Sequence, residues 1–115
     1  MGEEVCEVVI TAPDDSWLTD FVENLVEERL CAGSHNMGSI RTIYWWAGRV
    51  QHGSEFRVSL HTRLSLVPEI AARVQQEHQF EVPCVVAMPL IGGLPDYLRW
   101  VVAETRPPST EAEGL

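Results

Sequence analysis

Residues 40–62, IRTIYWWAGRVQHGSEFRVSLHT, decide the fold of this chain. The run 40–46 is aromatic and β-branched, and the pair Ala47-Gly48 that follows it predicts a tight turn into a second strand. From 55 to 62 polar residues alternate with residues that are apolar up to position 60 and end in Thr62. This is the period-two pattern of a strand with one face on a core. Gly53 predicts a β-bulge within the resulting hairpin.

The segment before this hairpin predicts a strand followed by a helix. Residues 5–12 (VCEVVITA) are rich in β-branched side chains. Residues 13–16 (PDDS) supply turn and N-cap chemistry, and from 17 to 30 apolar residues recur with the helical period. Gly33 is the predicted C-cap of this first helix.

The segment after the hairpin predicts a second helix, a fourth strand and a third helix. Ser65 is the predicted N-cap of the second helix. The apolar run 82–90 predicts a strand buried on both faces, and a third helix opens near Pro95. Residues 106–115 have no periodicity and predict a disordered tail.

The order of elements is βαββαβ with an added C-terminal helix, which predicts an α+β, ferredoxin-like sandwich over residues 1–105. In this fold both main helices cover one face of the sheet and leave the other open. The run Tyr44, Trp45 and Trp46 places aromatic side chains on both sides of the second strand. Soluble monomers rarely expose so apolar a face, which predicts self-association. The alternative is that the C-terminal helix and the loops cover this face.

Composition and charge exclude several classes of function. The net charge of −9 argues against a nucleic-acid partner, and the absence of lysine excludes Schiff-base chemistry and a P-loop. No apolar run reaches the length of about 18 to 20 residues that spans a membrane, and no secretory signal is present. Cys6, Cys31 and Cys84 are odd in number and widely spaced, which predicts reduced thiols and a cytoplasmic location.

Six short sequence motifs, in their order and spacing along the chain, resemble those of the CutA family of divalent-cation tolerance proteins. They are residues 11–14 (TAPD), 26–32 (VEERLCA), 43–46 (IYWW) with Gly48, 62–63 (TR), His78 with 81–83 (EVP), and 95–100 (PDYLRW). The resemblance runs from about residue 8 to residue 105. It implies a ferredoxin-like subunit, a tight homotrimer in the bacterial cytoplasm, and a non-enzymatic binding or sensing role in tolerance of copper or other divalent metals.

The chain departs from the family pattern at several positions. Ile10 stands where some members have a cysteine proposed to bind copper, and Cys84 stands where a carboxylate is usual. Ala47 replaces an acidic residue, and His61 replaces a frequent lysine of the third strand. Of the metal set proposed for the family, only His78 is unchanged.

His78 and Cys84 are the candidate ligands for copper or another divalent metal. Imidazole and thiolate suit copper and zinc, and a helix end followed closely by a strand brings the two side chains near each other. The alternative interpretation is structural. His78 then sits at a helix C-terminus, where the macrodipole favours it, and Cys84 is a buried core thiol.

A second candidate site is a ligand pocket or interface between subunits, lined by Tyr44, Trp46, His61 and Tyr97. Its alternative is a set of ordinary interface residues around a hydrogen-bonded His61. His35 and His52 are predicted to lie in loops as solvated residues.

Two other classes of protein, with different functions, share this architecture. One is a trimeric regulator resembling the P-II signalling proteins, which would bind a small effector in clefts between subunits; 92–93 (GG) is a weak version of a phosphate loop. The other is a trimeric tautomerase, disfavoured because no base other than the histidines is present.

Overall fold

The computed structural model describes residues 3–109, and over this range the predicted α+β class is confirmed. A short 3-10 turn, Leu64–Leu66, joins the third strand to the second helix. The other elements, in chain order, are β1 (Val5–Ala12), α1 (Asp15–Glu27), β2 (Gly33–Trp46), β3 (Arg49–Arg63), α2 (Val67–Glu77), β4 (Val85–Pro89) and α3 (Pro95–Ala103).

The four strands form one antiparallel sheet in the order β2-β3-β1-β4. β1 lies between β3 and β4, so the chain crosses over the sheet through α1 and again through α2, the split-βαβ arrangement. The register sets Glu7 opposite His61 on one side and opposite Met88 on the other. Side chains that are directly opposite point to the same face, so these three share one face of the sheet.

The core lies between the other face of the sheet and the helices α1 and α2. Every second residue of β1 faces it, because side chains alternate along a strand. The helices contribute one apolar stripe each, at the spacing read from the sequence. The core residues are Cys6, Val8, Ile10, Ala12, Leu18, Phe21, Val22, Leu25, Leu30, Cys31, Val58, Leu60, Leu66, Ile70 and Val74.

The first helix begins as predicted, but Gly33 is not its C-cap. Asp14 is the N-cap, and its carboxylate accepts hydrogen bonds from the backbone of the first turn. The helix ends in a Schellman motif. Arg29 takes the left-handed conformation (φ 61°), and the amide of Leu30 donates to Leu25 O at 2.9 Å. Burial of Leu30 fixes the ending at this point, and Gly33 begins β2 instead.

β2 is seven residues longer than predicted, and the predicted bulge at Gly53 is wrong. The irregularity in the ladder lies between Asn36 and Gly38, where Asn36 Oδ1 accepts from the amide of Gly38 at 2.8 Å. Gly38 has a φ of +84°, which suits glycine. Residues 33–39, which apart from Met37 are polar or small, carry no strand signal of their own and form a strand by pairing with β3. Gly53 is in regular register, opposite Thr42.

Two predictions in the second half of the chain are also wrong. Ser65 does not cap α2: the helix begins at Val67 after the 3-10 turn, and no side chain caps it. Pro68 occupies the first turn, which suits an N-terminus that lacks a capping side chain. β4 is shorter than predicted and is not buried on both faces: Val85 and Ala87 are partly buried against the core, whereas Val86 and Met88 are exposed on the face that α1 and α2 do not cover.

The end of the β2–β3 hairpin projects from the rest of the sheet, and we call residues 40–55 the arm. Its turn is the predicted one, with positive φ at both Ala47 (55°) and Gly48 (78°), as a two-residue type I′ turn requires. No residue of the arm is buried. Its most exposed apolar side chains, Trp45 at 73% and Ile43 at 69%, lie on the same side of the arm.

α3 packs on the second face of the sheet, opposite α1 and α2. The Arg63 guanidinium donates hydrogen bonds to the carbonyls of Val102 and Thr105 at 3.0 and 2.9 Å. The chain stays attached beyond the predicted boundary at 105. Arg106 and the amide of Ser109 both donate to the Glu69 carboxylate. The rest of the predicted tail, 110–115, lies outside the described residues.

Candidate functional site

The second face of the sheet carries a polar cluster beneath α3. Glu7 and His61 are paired across β1 and β3, and period-two alternation turns both away from the core. Tyr97 stands one turn into α3, which places its ring above this pair. Three elements distant in sequence therefore meet at one point.

The three side chains form a continuous hydrogen-bonded chain. His61 Nδ1 lies 2.5 Å from Tyr97 Oη, and His61 Nε2 lies 2.8 Å from Glu7 Oε1. Because an ionised carboxylate only accepts, Nε2 carries the imidazole hydrogen, and Nδ1 of the neutral ring accepts from the tyrosine hydroxyl. The His61 side chain is only 14% exposed, whereas that of Glu7 is 31% exposed.

Tyr97 is held in its protonated form. Burial raises the pKa of its hydroxyl, and the negative charge of Glu7 raises that pKa further. A protonated hydroxyl has a hydrogen that it can donate to His61 Nδ1. The cluster keeps its single negative charge on Glu7, at the end opposite to the tyrosine.

Aromatic rings complete the surroundings of this cluster. The ring of His35 meets that of His61 edge-on at 5.7 Å, and the ring of Trp100 lies 5.5 Å from that of Tyr97. The prediction that His35 and His52 lie in loops is wrong, because both belong to the hairpin strands. Pairing with β3 draws His35 into the sheet beside His61.

The four residues predicted to line one pocket separate into two pairs within the chain. His61 and Tyr97 are in contact, as described above. Tyr44 and Trp46 share that face of the sheet but lie on the arm. The cross-strand partner of Tyr44, Gln51, is ten residues from His61 along β3, or about 33 Å.

Sequence reasoning missed Glu7, although a signal for it exists. Glu7 is the one charged residue in the otherwise apolar or small run of β1, and alternation already sets it on the face opposite Cys6 and Val8. What the sequence did not provide is the register that pairs it with His61. That register follows only from the assembled sheet.

His78, the first metal candidate, is buried and uses both ring nitrogens within the chain. Its Nε2 lies 2.9 Å from the carbonyl oxygen of Thr11, and its Nδ1 lies 3.0 Å from the amide nitrogen of Phe80. A carbonyl accepts and an amide donates, so the ring is the neutral Nε2–H tautomer. The ring also packs against Trp17 and Phe80.

Cys84, the second metal candidate, is a free and exposed thiol, so its interpretation as a buried core thiol is wrong. The other two cysteines are buried. Burial raises the pKa of Cys6 to about 11 and that of Cys31 to about 12, which keeps both thiols protonated and unreactive. Within residues 3–109, no three His, Cys, Asp or Glu side chains are placed to share one metal ion.

Comparison with known proteins identifies the family of this chain. The model of the family described as CutA1 divalent ion tolerance protein matches residues 6–104. The chain belongs to the CutA family. A CutA from the archaeon Pyrococcus horikoshii, named a divalent-cation tolerance protein, is 32% identical over 99 residues, which cover 86% of this chain and 96% of the relative.

CutA proteins of plants are similar at the same level. A rice protein named as chloroplastic CutA 1 is 32% identical over 99 residues, which cover 86% of this chain and 56% of the rice protein. A chloroplastic CutA of Arabidopsis thaliana is 33% identical over 54% of its length. This chain therefore spans little more than half the length of these plant relatives.

Solved CutA1 structures share the fold. The rice CutA1 structure superposes with a TM-score of 0.86 at 31% identity, covering 90% of this chain and 95% of the rice chain. The structure from Thermus thermophilus has a TM-score of 0.83 at 33% identity and covers 91% and 100% of the two chains. The ferredoxin-like fold predicted from the strand and helix order is confirmed. Within residues 3–109, no helix is long and apolar enough to cross a membrane.

Proposed function

We propose that this chain forms a homotrimer and acts as a non-enzymatic binding or sensing module in the tolerance of divalent metal ions such as copper. The observation that carries the proposal is the β2–β3 hairpin, which offers apolar and cationic groups that have no partner within the described chain. Membership of the divalent ion tolerance family supplies the link to metals.

The apolar side chains support self-association. The arm exposes Tyr44 and Trp46 on the face that carries His61, and Ile43 and Trp45 on the other. β4 exposes Val86 and Met88 on the His61 face as well. Exposed apolar side chains at both ends of one sheet face are typical of a subunit interface.

The charges support the same proposal. The hairpin strands carry four arginines and one glutamate, whereas the rest of the chain carries four arginines and sixteen carboxylates. Arg29, Arg73, Arg99 and Arg106, which lie outside the hairpin, each contact a carboxylate of their own chain. Among residues 3–109, Arg41, Arg49 and Arg57 of the hairpin have no carboxylate within 4.0 Å. A cationic hairpin and an acidic body complement each other between copies.

The test of self-association is the mass of the native protein. Sedimentation equilibrium or native mass spectrometry is expected to give three times the chain mass of 12.9 kDa. A matched pair of variants sharpens the result. Trp46→Ser removes an exposed side chain of the arm and is expected to shift the population to monomer. Trp100→Ser removes a similarly exposed side chain of α3 and serves as control. A wild-type monomer at micromolar concentration contradicts the proposal.

His78 and Cys84 are the proposed metal-binding pair. Cys84 has a free, exposed thiol, and the Nδ1 of His78 would exchange the hydrogen bond from Phe80 for a metal bond. Two ligands are fewer than the usual three or four, so water or a second copy would supply the others. Titration calorimetry of the reduced, metal-free protein with Cu(II), Cu(I) and Zn(II) tests this pair. Saturable binding that is lost in both His78→Ala and Cys84→Ser is expected, and unchanged binding in both variants would exclude this site.

We also place the protein in the cytoplasm, on the basis of its three unpaired cysteines. Fractionation of the producing cells, with this chain detected by antibody, tests the location. Recovery in a periplasmic or organellar fraction would contradict it.

A further inference from the structure

A hydroxyl, an imidazole and a carboxylate stand in line beneath α3. Tyr97 Oη is within hydrogen-bonding distance of His61 Nδ1, and Glu7 Oε1 is within hydrogen-bonding distance of the other ring nitrogen. Such an order, with a nucleophile beside a base and the base oriented by a third group, is the arrangement that activates hydroxyl nucleophiles. We propose that Tyr97 is a nucleophile activated by His61 and Glu7, and that it accepts acyl groups from activated acyl donors.

Attachment of α3 to the sheet does not require this cluster. The Arg63 guanidinium already binds α3 through two backbone carbonyls and through the hydroxyl of Thr105. α3 also buries Val101 completely. A phenylalanine at position 97 would retain the apolar packing against Trp100. The carboxylate and the imidazole are thus available for chemistry.

The proposed step transfers one acyl group and one proton. Tyr97 Oη attacks the carbonyl carbon of the donor while its proton passes to His61 Nδ1, and the imidazolium that forms is balanced by the adjacent Glu7 carboxylate. The bond between the acyl carbon and the leaving group then breaks. His61 returns the proton to the leaving group, which leaves an acyl ester on Tyr97 and a neutral imidazole. No oxidant, reductant or metal takes part.

The surroundings separate this route from ordinary tyrosine chemistry. A tyrosine without a base reacts through its phenolate, so its rate rises as the pH approaches about 10. Burial and the Glu7 charge raise the pKa of Tyr97 and so suppress that route for it. Rapid reaction of Tyr97 near neutral pH therefore requires proton transfer to His61.

The chain contains a control for this experiment. Its only other tyrosine, Tyr44, is exposed on the arm, and among residues 3–109 no side chain is hydrogen-bonded to its hydroxyl. The full-length protein is treated with N-acetylimidazole at pH 7, and the acetylation rates of the two tyrosines are measured by peptide mass spectrometry. Tyr97 is expected to react about 100-fold faster than Tyr44, the low end of what general base catalysis provides, and about 100-fold faster than free N-acetyltyrosinamide in the same solution, which self-association of the arm cannot shield. A ratio below about tenfold would overturn the proposal.

Substitution of His61 tests whether the fast acetylation of Tyr97 depends on its hydrogen-bonded neighbours. His61→Gln keeps an acceptor for the tyrosine hydroxyl but cannot take its proton, so the rate at Tyr97 is expected to fall about 100-fold. His52→Gln, on the exposed arm, is the matched control and should leave both rates unchanged. Full-rate acetylation of Tyr97 in His61→Gln would overturn the proposal, and a thermal unfolding transition like that of the wild type confirms that the variant is folded.

Glu7 acts as a positioning residue, and its variant has a separate readout. Glu7→Gln still accepts from His61 Nε2 but carries no charge to balance the imidazolium. We expect a smaller Tyr97 rate at pH 7 together with a shift in the pH dependence of that rate, which a purely structural role would not produce. The proposal uses residues of one chain only. Failure of this labelling therefore leaves the proposed trimer untouched, and a monomeric protein would leave the labelling result valid.

Discussion

The arm and the rest of the molecule obey the same strand pattern but differ in what surrounds them. In the body, residues 3–39 and 56–109, alternation delivers every second side chain of β1 to a closed core in which Val8 and Ile10 have no exposure. In the arm, the same alternation delivers Ile43 and Trp45 to one side and Tyr44 and Trp46 to the other, where each side chain stays 44 to 73% exposed. The alternation along a strand sets the face to which a side chain points, whereas the burial of that side chain depends on whether another element packs on the same face.

This difference locates the origin of stability. Burial of apolar area stabilises the body by roughly 25 cal/mol per Å². A two-stranded ribbon without a covered face is marginal by itself. The proposed self-association would cover the apolar surface of the arm, and the following predictions test that expectation.

The largest expected effect is a contrast between two isoleucines. Ile70→Ala empties a fully buried position in α2 and is expected to cost about 3 to 4 kcal/mol of unfolding free energy. The same change at Ile43, 69% exposed on the arm, is expected to cost less than about 0.5 kcal/mol in the dissociated chain.

Urea denaturation at several protein concentrations measures both costs. The cost at Ile70 should not depend on concentration, whereas the cost at Ile43 should grow as the chains associate. Equal costs at the two positions at every concentration would remove the distinction between arm and body.

The next effect concerns charge. Arg49→Glu places an acid on the cationic hairpin and is expected to weaken self-association at least about tenfold, or about 1.4 kcal/mol, because a like charge then faces the acidic body of the next copy. Arg99→Glu is the control, since Arg99 is exposed on α3 and contacts Asp96 within its own chain. Dissociation constants from analytical ultracentrifugation decide the matter. Equal weakening by both variants would show that only the net charge counts.

The sequence predicted this contrast only in part. It revealed the arm through its aromatic run and through Ala47-Gly48, because the signals for a strand and for a tight turn are local. It also predicted an open sheet face, which is only partly right, because α3 covers the part of that face formed by β1 and β3 and leaves the arm and β4 exposed. It missed strand 33–39, whose residues other than Met37 are polar or small, because that strand depends on pairing with β3 rather than on its own composition.

The candidate site was predictable to a similar extent. His61 could be selected as a polar residue on the strand face turned from the core and Tyr97 as an aromatic residue of the third helix, but Glu7 and His35 required the register of the sheet. His78 and Cys84 could be selected by their chemistry alone. The hydrogen bonds that occupy both nitrogens of His78 come from Thr11 and Phe80, whose positions only the folded chain defines.

A smaller effect compares two residues in the left-handed conformation. Ala47 at the tip of the arm and Arg29 at the end of α1 both have positive φ, which costs a residue with a Cβ atom about 1 kcal/mol. Ala47→Gly and Arg29→Gly are each expected to raise the unfolding free energy by up to about 1 kcal/mol. The gain at Arg29 should be the smaller, because that variant also loses an exposed ion pair with Glu104.

Thermal unfolding of the two glycine variants beside the wild type provides the measurement. Destabilisation by Ala47→Gly would show that the turn is restrained by contacts that the single chain does not contain.

The smallest expected effect lies in the body, where Arg73 joins the end of α1 to α2. The hydrogen bond from Arg73 holds the pKa of Glu28 below its usual value. A carboxylate with a lowered folded-state pKa stabilises the protein above its unfolded pKa of about 4.3, and that contribution is lost as the pH falls through the folded value. Since Glu28 is about half exposed, its contribution at pH 7 should stay below about 0.5 kcal/mol.

Glu28→Gln isolates this contribution, because the amide keeps a hydrogen-bond acceptor for Arg73 without the charge. Denaturation curves of the wild type and the variant should differ slightly at pH 7 and converge as the pH falls through the lowered folded-state pKa of Glu28, where the wild-type carboxylate takes up its proton. A difference that persists unchanged at low pH would mean that packing at the α1–α2 junction, rather than the charge of Glu28, joins the two helices. In that case packing would hold this junction of the body without help from the Glu28 charge, and the contrast with the exposed, cationic hairpin would become sharper.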